Sequence, residues 1–255
     1  MPSRTAEDRA AIRAGVAVGL AAAAYGVSYG ALAVAAGLDI WQTCVMSLLM
    51  FTGGSQFALV GVLASGGLAA GPAAIASATF LGLRNGIYSI RMAPVIGGGW
   101  GRRLLAAHWT IDETTAVATN QPNRRSQQYG FWATAVATFV GWNLTSLLGA
   151  LIGDAIGDVR MYGLDAAAAA AFLGLLWPRL KQLQAGAVAV GAAVVATVTI
   201  PILPPGLPVL IAALVAVTVG LVNWLGRPEA AHQPDDAETP GDVPGLHHRA
   251  DGADR

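Results

Sequence analysis

The residues of this chain that could do chemistry are few, and several sit where polar groups are costly. Thr52-Gly53-Gly54-Ser55-Gln56, bracketed by Phe51 and Phe57, interrupts a run from Ile40 to Leu83 that carries no charged residue. Each glycine costs a helix about 1 kcal/mol relative to Ala, so a pair breaks it. The hydroxyl and amide groups beside it are expensive in hydrocarbon unless they find partners. Irregular backbone survives at bilayer depth only where protein or a water-filled cavity satisfies it, so this stretch is expected to line a site rather than face lipid. Two readings stand: a packing kink where another helix crosses closely, or a half-helix start whose free N–H groups and positive dipole end receive an anionic group. The second makes Gly53, Gly54, Ser55 and Gln56 candidate binding residues. The glycine spacing and lysine of a phosphate-binding loop are missing from the stretch.

Arg84 lies near the middle of a second apolar stretch, Ala73 to about Ile96, between Gly82 and Gly86 with Asn85 and Tyr88 close by. A charge at the centre of a membrane helix costs about 2.5–3.5 kcal/mol on insertion scales, so Arg84 needs a partner or a wet cavity. Either its planar fork holds a substrate carboxylate by two hydrogen bonds, or it braces the bundle against helix-end carbonyls or against Asp112 or Glu113. Arg91, nearer the edge, can snorkel.

Asp112 and Glu113 are adjacent, so on a helix they point about 100° apart and cannot act as one shared carboxylate pair. Thr110-Ile111-Asp112-Glu113 reads as a capping box, with Thr110 as cap and Glu113 as third residue of a short helix running to about Thr119. Both carboxylates are candidates for proton coupling, and Asp112 is the freer one. The cap separates them from His108, four residues before Asp112. As acids and bases these three would also suit an intramembrane enzyme, but no nucleophile or metal constellation accompanies them. No metal, cofactor or ATP motif is expected, and His232, His247 and His248 fall in a Pro- and Asp-rich tail.

The elements that must position these groups are helices in a bilayer. Apolar residues make up 55% of the chain, charged ones 12%, and several segments exceed the roughly 18 apolar residues that a spanning helix needs. Net charge is zero, and the basic residues occur singly or in pairs, which excludes nucleic-acid binding. Cys44 is the only cysteine, so no intrachain disulfide forms. Residues 14 to 38 are too long an apolar stretch for a cleaved signal peptide. They are read as the first span, with Gly15/Gly19 and Gly26/Gly30 spaced for close helix contact. Asp39 closes that span.

Residues 40 to 65 hold two half-helices around the Gly-Gly break, 66 to 72 form a turn, and the span bearing Arg84 follows. A hydrophilic segment covers 97 to 128. Later spans are expected at 129 to 152, about 162 to 177, 184 to 200 and 207 to 225, with a polar loop of Asp154, Asp158, Arg160 and Asp165 after the first of these. Residues 1–12 form a cytoplasmic N-terminal segment, 13–226 the transmembrane domain, and 227–255 a tail with almost nothing to bury, read as disordered and cytoplasmic. The basic groups fall on one side if 40 to 65 enters and leaves by the same face, which gives six full spans and both termini cytoplasmic. A full crossing at 40 to 65 would need the 98 to 120 stretch to re-enter instead. The fold expected is an all-α, polytopic integral membrane bundle with a glycine-broken helix.

Three motifs then match a family. FTGGSQFALVGVL resembles the FxGSxQFAxVxLL signature of the AzlC/YgaZ branched-chain amino acid permeases, GLRNGIYSIRMAP resembles their NLRHxLYxxxLAP, and WTIDETTAVA resembles their LTDExFA. The likeness runs from about residue 12 to 225. Gly54, Ser55, Gln56, Arg84, Tyr88, Asp112 and Glu113 match the family pattern, whereas Gly82 stands where Asn is usual and Asn85 where His is usual. The resemblance implies the larger subunit of a two-component exporter of branched-chain amino acids in the inner or plasma membrane, paired with a small AzlD-type membrane protein. A proton-coupled secondary transporter of a valine-like substrate is the reading it supports. A membrane subunit with a purely structural role is the remaining alternative, distinguished by Arg84 facing a partner helix rather than a cavity.

Overall fold

A computed structural model describes residues 4–157, 173, 177, 179–204 and 207–222. They form helices joined by short links: α1 (Ala6–Ala24), α2 (Gly26–Ala35), α3 (Ile40–Leu49), α4 (Gly54–Gly66), α5 (Gly71–Ile96), α6 (Trp100–His108), α7 (Asp112–Thr119), α8 (Arg124–Ile156), α9 (Leu183–Thr199) and α10 (Leu207–Val222). The stretches Ala6–Ala35, Gly54–Ile96 and Arg124–Ile156 are long and apolar enough to cross a membrane. The second reverses direction at the turn Gly67–Ala70, so α5 supplies the crossing length and α4 is a half-length arm.

The first span starts earlier than its apolar stretch because Thr5 caps it. The Thr5 side chain accepts from the Asp8 amide and the Asp8 carboxylate accepts from the Thr5 amide. It also bends at Tyr25, ahead of Gly26, where one amide reaches back three residues to Ala22 instead of four. Its glycines face α8. A Cβ on Gly15 would meet Gly130 and Thr134, one on Gly26 would meet Trp142 and Thr145, and one on Gly30 would collide with the Ser146 carbonyl. Residue numbers rise together along this seam, so α1/α2 and α8 run parallel. Buried Asp8 fastens the two starting ends, accepting from Ser126 Oγ at 3.0 Å and pairing with Arg125 Nε at 3.1 Å.

Parallel α1 and α8 require the chain between them to return once, and α5 does so. Its last turn meets the start of α8, where Arg124 Nε and Gln128 Nε2 donate to the Val95 carbonyl at 3.3 and 2.7 Å. The two remaining pairs of short helices are hairpins. Ala36 and Leu38, before α3, pack with Val62, Leu63, Ala70 and Ala74, so α3 and α4 enter and leave by the same end. Gly97, before α6, lies against Arg124, and Gln121, after α7, accepts from Gln127 of α8, so α6 and α7 enter and leave by the opposite end. Ten residues of α3 and nine of α6 rise about 15 Å and 14 Å, half of a hydrocarbon core.

The re-entrant reading of 40 to 65 therefore fits the geometry, and the 97 to 121 stretch re-enters as well, which the sequence reading tied only to the other topology. Arg4, Arg9, Arg13, Arg102, Arg103, Arg124 and Arg125 all fall at or near one end. Ile200 and Leu203 after α9 and Pro208 at the start of α10 lie beside Gly61 and Ser65, near the other end. The span expected at about 162 to 177, most of the polar loop and the 227–255 tail lie outside the described residues.

Candidate substrate site

The tips of the two hairpins meet beside the middle of α8. Phe51 meets the Phe139 ring edge-on and Trp109 meets it at a tilt, each with ring centroids 5.1 Å apart. Here α4 begins at Gly54 and α7 begins at Asp112, so two helix N-termini, each a positive dipole end, open into the same region. Gly53 has φ +60°, a backbone conformation in which any side chain would be strained. Gln56 reaches back from the third helical position, its Oε1 accepting from the Gly53 amide at 3.2 Å.

Arg84 projects from α5 into this gap. Its Nη1 lies 2.9 Å from Asp112 Oδ2, and a Cβ added to Gly54 would lie 2.9 Å from its Nη2. The guanidinium thus touches the Gly-Gly break and the α7 start together. The close approach gives Gly54 its physical reason: a larger residue would push the arginine away. Gly82, two residues before Arg84 on α5, lies beside Ser55 Oγ, at 3.5 Å from where a Cβ would stand.

Of the partners expected for Arg84, Asp112 is the one in contact, which is the bracing arrangement. The ion pair still leaves donors and acceptors over. Among the described residues, Ser55 Oγ, Arg84 Nε, Asn85 Oδ1 and Asp112 Oδ1 are buried atoms without a hydrogen-bond partner. Ser55 is almost wholly buried, so its hydroxyl cannot turn to bulk water. Tyr88 stands one turn along α5 from Arg84, half-buried. Thr52 and Thr115 add two more unpartnered hydroxyls. Nothing in the sequence separates these two from the many Ser and Thr that merely bond their own helix.

The capping box is corrected by one residue. Ile111, in extended conformation at φ −131°, is the cap of α7, and Thr114 Oγ1 accepts from its amide at 2.9 Å. Thr110 belongs to the preceding helix end, its hydroxyl donating to the Ala106 carbonyl at 2.6 Å. Glu113 is thereby released from any capping duty, and both carboxylates sit in the first turn, where the helix dipole favours negative charge. Glu113 is half-buried beside Asp112 in that turn. His108 ends α6 and points away from the carboxylates, its Nε2 3.0 Å from the Leu48 carbonyl. No cluster of His, Cys, Asp and Glu able to hold a metal occurs among the described residues.

The model of the AzlC protein family matches residues 17–156, from the first span through α8. The chain belongs to the AzlC family. That places it in a membrane transport family related to branched-chain amino acids rather than in a family of enzymes. The matched region contains both hairpins, Arg84 and the two carboxylates, while α9 and α10 lie beyond it. No curated protein and no solved structure matches the chain.

Proposed function

We propose that this AzlC-family protein is a secondary transporter that exports a small zwitterionic amino acid with an apolar side chain, such as valine, from the cell across the plasma membrane in exchange for protons. The observation that carries the reading is the Arg84–Asp112 ion pair, set between two helix N-termini and ringed by unpartnered buried polar atoms. A zwitterion can insert into such a pair: its carboxylate goes to Arg84, Ser55 and the free amides at the start of α4, and its ammonium to Asp112. Insertion exchanges one pair of opposite charges for two and leaves no charge unpaired, which is what a site of low dielectric demands.

Gln56, Asn85 and Tyr88 complete the lining. An apolar cleft bounded by Phe57, Ala58, Gly61, Leu81, Leu203 and Val209 adjoins the site through Leu81, which also lies near Gly54, and suits a branched apolar side chain. A proton on Asp112 competes with the ammonium, so proton entry and substrate exit alternate. Glu113, next to Asp112 in the first turn of α7, is the second proton candidate. The basic ends of α1, α6 and α8 face the cytoplasm by the rule that short cytoplasmic loops carry the excess of Lys and Arg, with the N-terminal segment and the tail on that side. The family resemblance adds a small AzlD-type membrane subunit as partner.

Efflux of labelled L-valine from vesicles, measured with and without a pH gradient, tests the proposal. Gradient-driven efflux is expected, and its absence together with absent valine exchange would refute it.

A further inference from the structure

Two parts of the chain repeat one plan in opposite directions. Residues 6–66 comprise a crossing helix, a short link, a half-helix, a break at 50–53 and a second half-helix; residues 71–119 comprise the same series with a break at 109–111. In both, the third residue of the second arm turns back onto the amide before it, Gln56 to Gly53 and Thr114 to Ile111. The first hairpin enters from the Gly66 end and the second from the Arg124 end, so the units are inverted relative to each other, the organisation in which transporters exchange access between two sides.

One hydrogen bond joins the first arms of the two hairpins. His108, the last residue of α6, places Nε2 3.0 Å from the carbonyl of Leu48 in the last turn of α3. A carbonyl accepts only, so Nε2 carries the hydrogen. The last carbonyls of a helix have no partner within it, so the two half-helix ends meet through this ring. The imidazole also packs against Phe51 and Phe139, at 6.3 and 6.0 Å.

We propose that His108 is a positioning residue, a latch that holds the two inverted hairpins tip to tip, and that transport requires this bond to open. The inference rests on the transport reading but has a readout of its own. In a Cys44→Ala background, Met50→Cys places a single thiol in the first break, and its rate of maleimide labelling in proteoliposomes reports how often the tips part. His108→Phe keeps the aromatic packing and removes the donor; His108→Gln keeps a donor. Labelling is expected to rise on the order of fivefold in the Phe variant, the weight of one hydrogen bond, and to stay near the parent rate in the Gln variant. A parent rate in the Phe variant, or equal acceleration in both variants, would overturn the latch. Labelled valine binding is measured on the same samples: equal binding by parent and variants fits a residue that does not touch substrate, while loss of binding in the Gln variant would overturn that role. Absence of valine binding in the parent would count against the transport reading and leave the labelling result standing.

Discussion

Arg84 Nη1 lies 2.9 Å from Asp112 Oδ2, joining the middle of a crossing helix to the first turn of a short one. The two side chains are 36% and 29% exposed, so the pair is not sealed inside the bundle. Partial access is what a substrate needs in order to insert.

Asp112→Asn should therefore separate coupling from passage. The amide can still accept a hydrogen bond from an ammonium group but cannot carry the proton. Efflux driven by a pH gradient should disappear while valine–valine exchange persists, slowed several-fold. Efflux that follows the gradient as in the parent would leave Asp112 with a structural role only.

Gly54→Ala tests the close approach at the break. The added Cβ would stand 2.9 Å from Arg84 Nη2, so the guanidinium must withdraw by several tenths of an ångström. Valine affinity should fall on the order of tenfold, as when a charge-assisted hydrogen bond is lost, with little change in thermal stability because the obstructing atom ends a flexible side chain. Gly53→Ala should behave in the opposite way: no atom lies within 4 Å of its Cβ, but φ is +60°, and the melting temperature should drop with a cost of about 1–2 kcal/mol.

Packing between α2 and α8 makes a sharper stability prediction. Gly30→Ala drives a methyl group into the Ser146 carbonyl, and both neighbours there are backbone, which cannot swing aside. Destabilisation of at least about 1–3 kcal/mol is expected, read as a lowered unfolding temperature in detergent. An unchanged temperature would mean that the parallel seam is looser than described.

Much of the site was legible before the fold was known, because polar groups at bilayer depth are costly and so stand out. The Gly53-Gly54 break and Arg84 were visible for that reason, and the carboxylates at 112 and 113 as the acids of a capping pattern in a hydrophilic segment. The small-residue spacing of Gly15, Gly19, Gly26 and Gly30 also pointed to close packing, but periodicity names a face and not the helix it meets, so α8 and its parallel direction could not be read.

The second hairpin escaped because its arms are short and its first arm carries Arg102 and Arg103, a composition that reads as a hydrophilic loop. The cap of α7 was displaced by one residue because a Thr at 110 satisfies a capping pattern as well as a Thr at 114 satisfies a back-bond, and only the extended backbone of Ile111 decides between them. His108 stood out only as an acid or base, and its bond to Leu48 left no trace in the sequence because the partner is a main-chain carbonyl.

The topology can be checked with single thiols in the Cys44→Ala background. Leu68→Cys lies in the exposed turn after α4 and Arg102→Cys at the start of α6. In intact cells an impermeant maleimide should label the first and spare the second. Labelling of both, or of the second alone, would contradict opposite entry of the two hairpins or the assigned orientation.

The central claim is that Arg84 and Asp112 hold the two charged ends of a zwitterion. Its most direct test is competition against labelled L-valine binding by valine, by valinamide, which lacks the carboxylate, and by isovalerate, which lacks the ammonium group, in the parent protein and in Arg84→Lys. Lysine keeps the charge and loses the two-pronged fork. The account predicts that the parent prefers valine to both analogues by on the order of tenfold or more, and that the Lys variant loses most of its preference over valinamide while keeping its preference over isovalerate. A parent that binds valinamide as well as valine, or a Lys variant whose preference is undiminished, would contradict it.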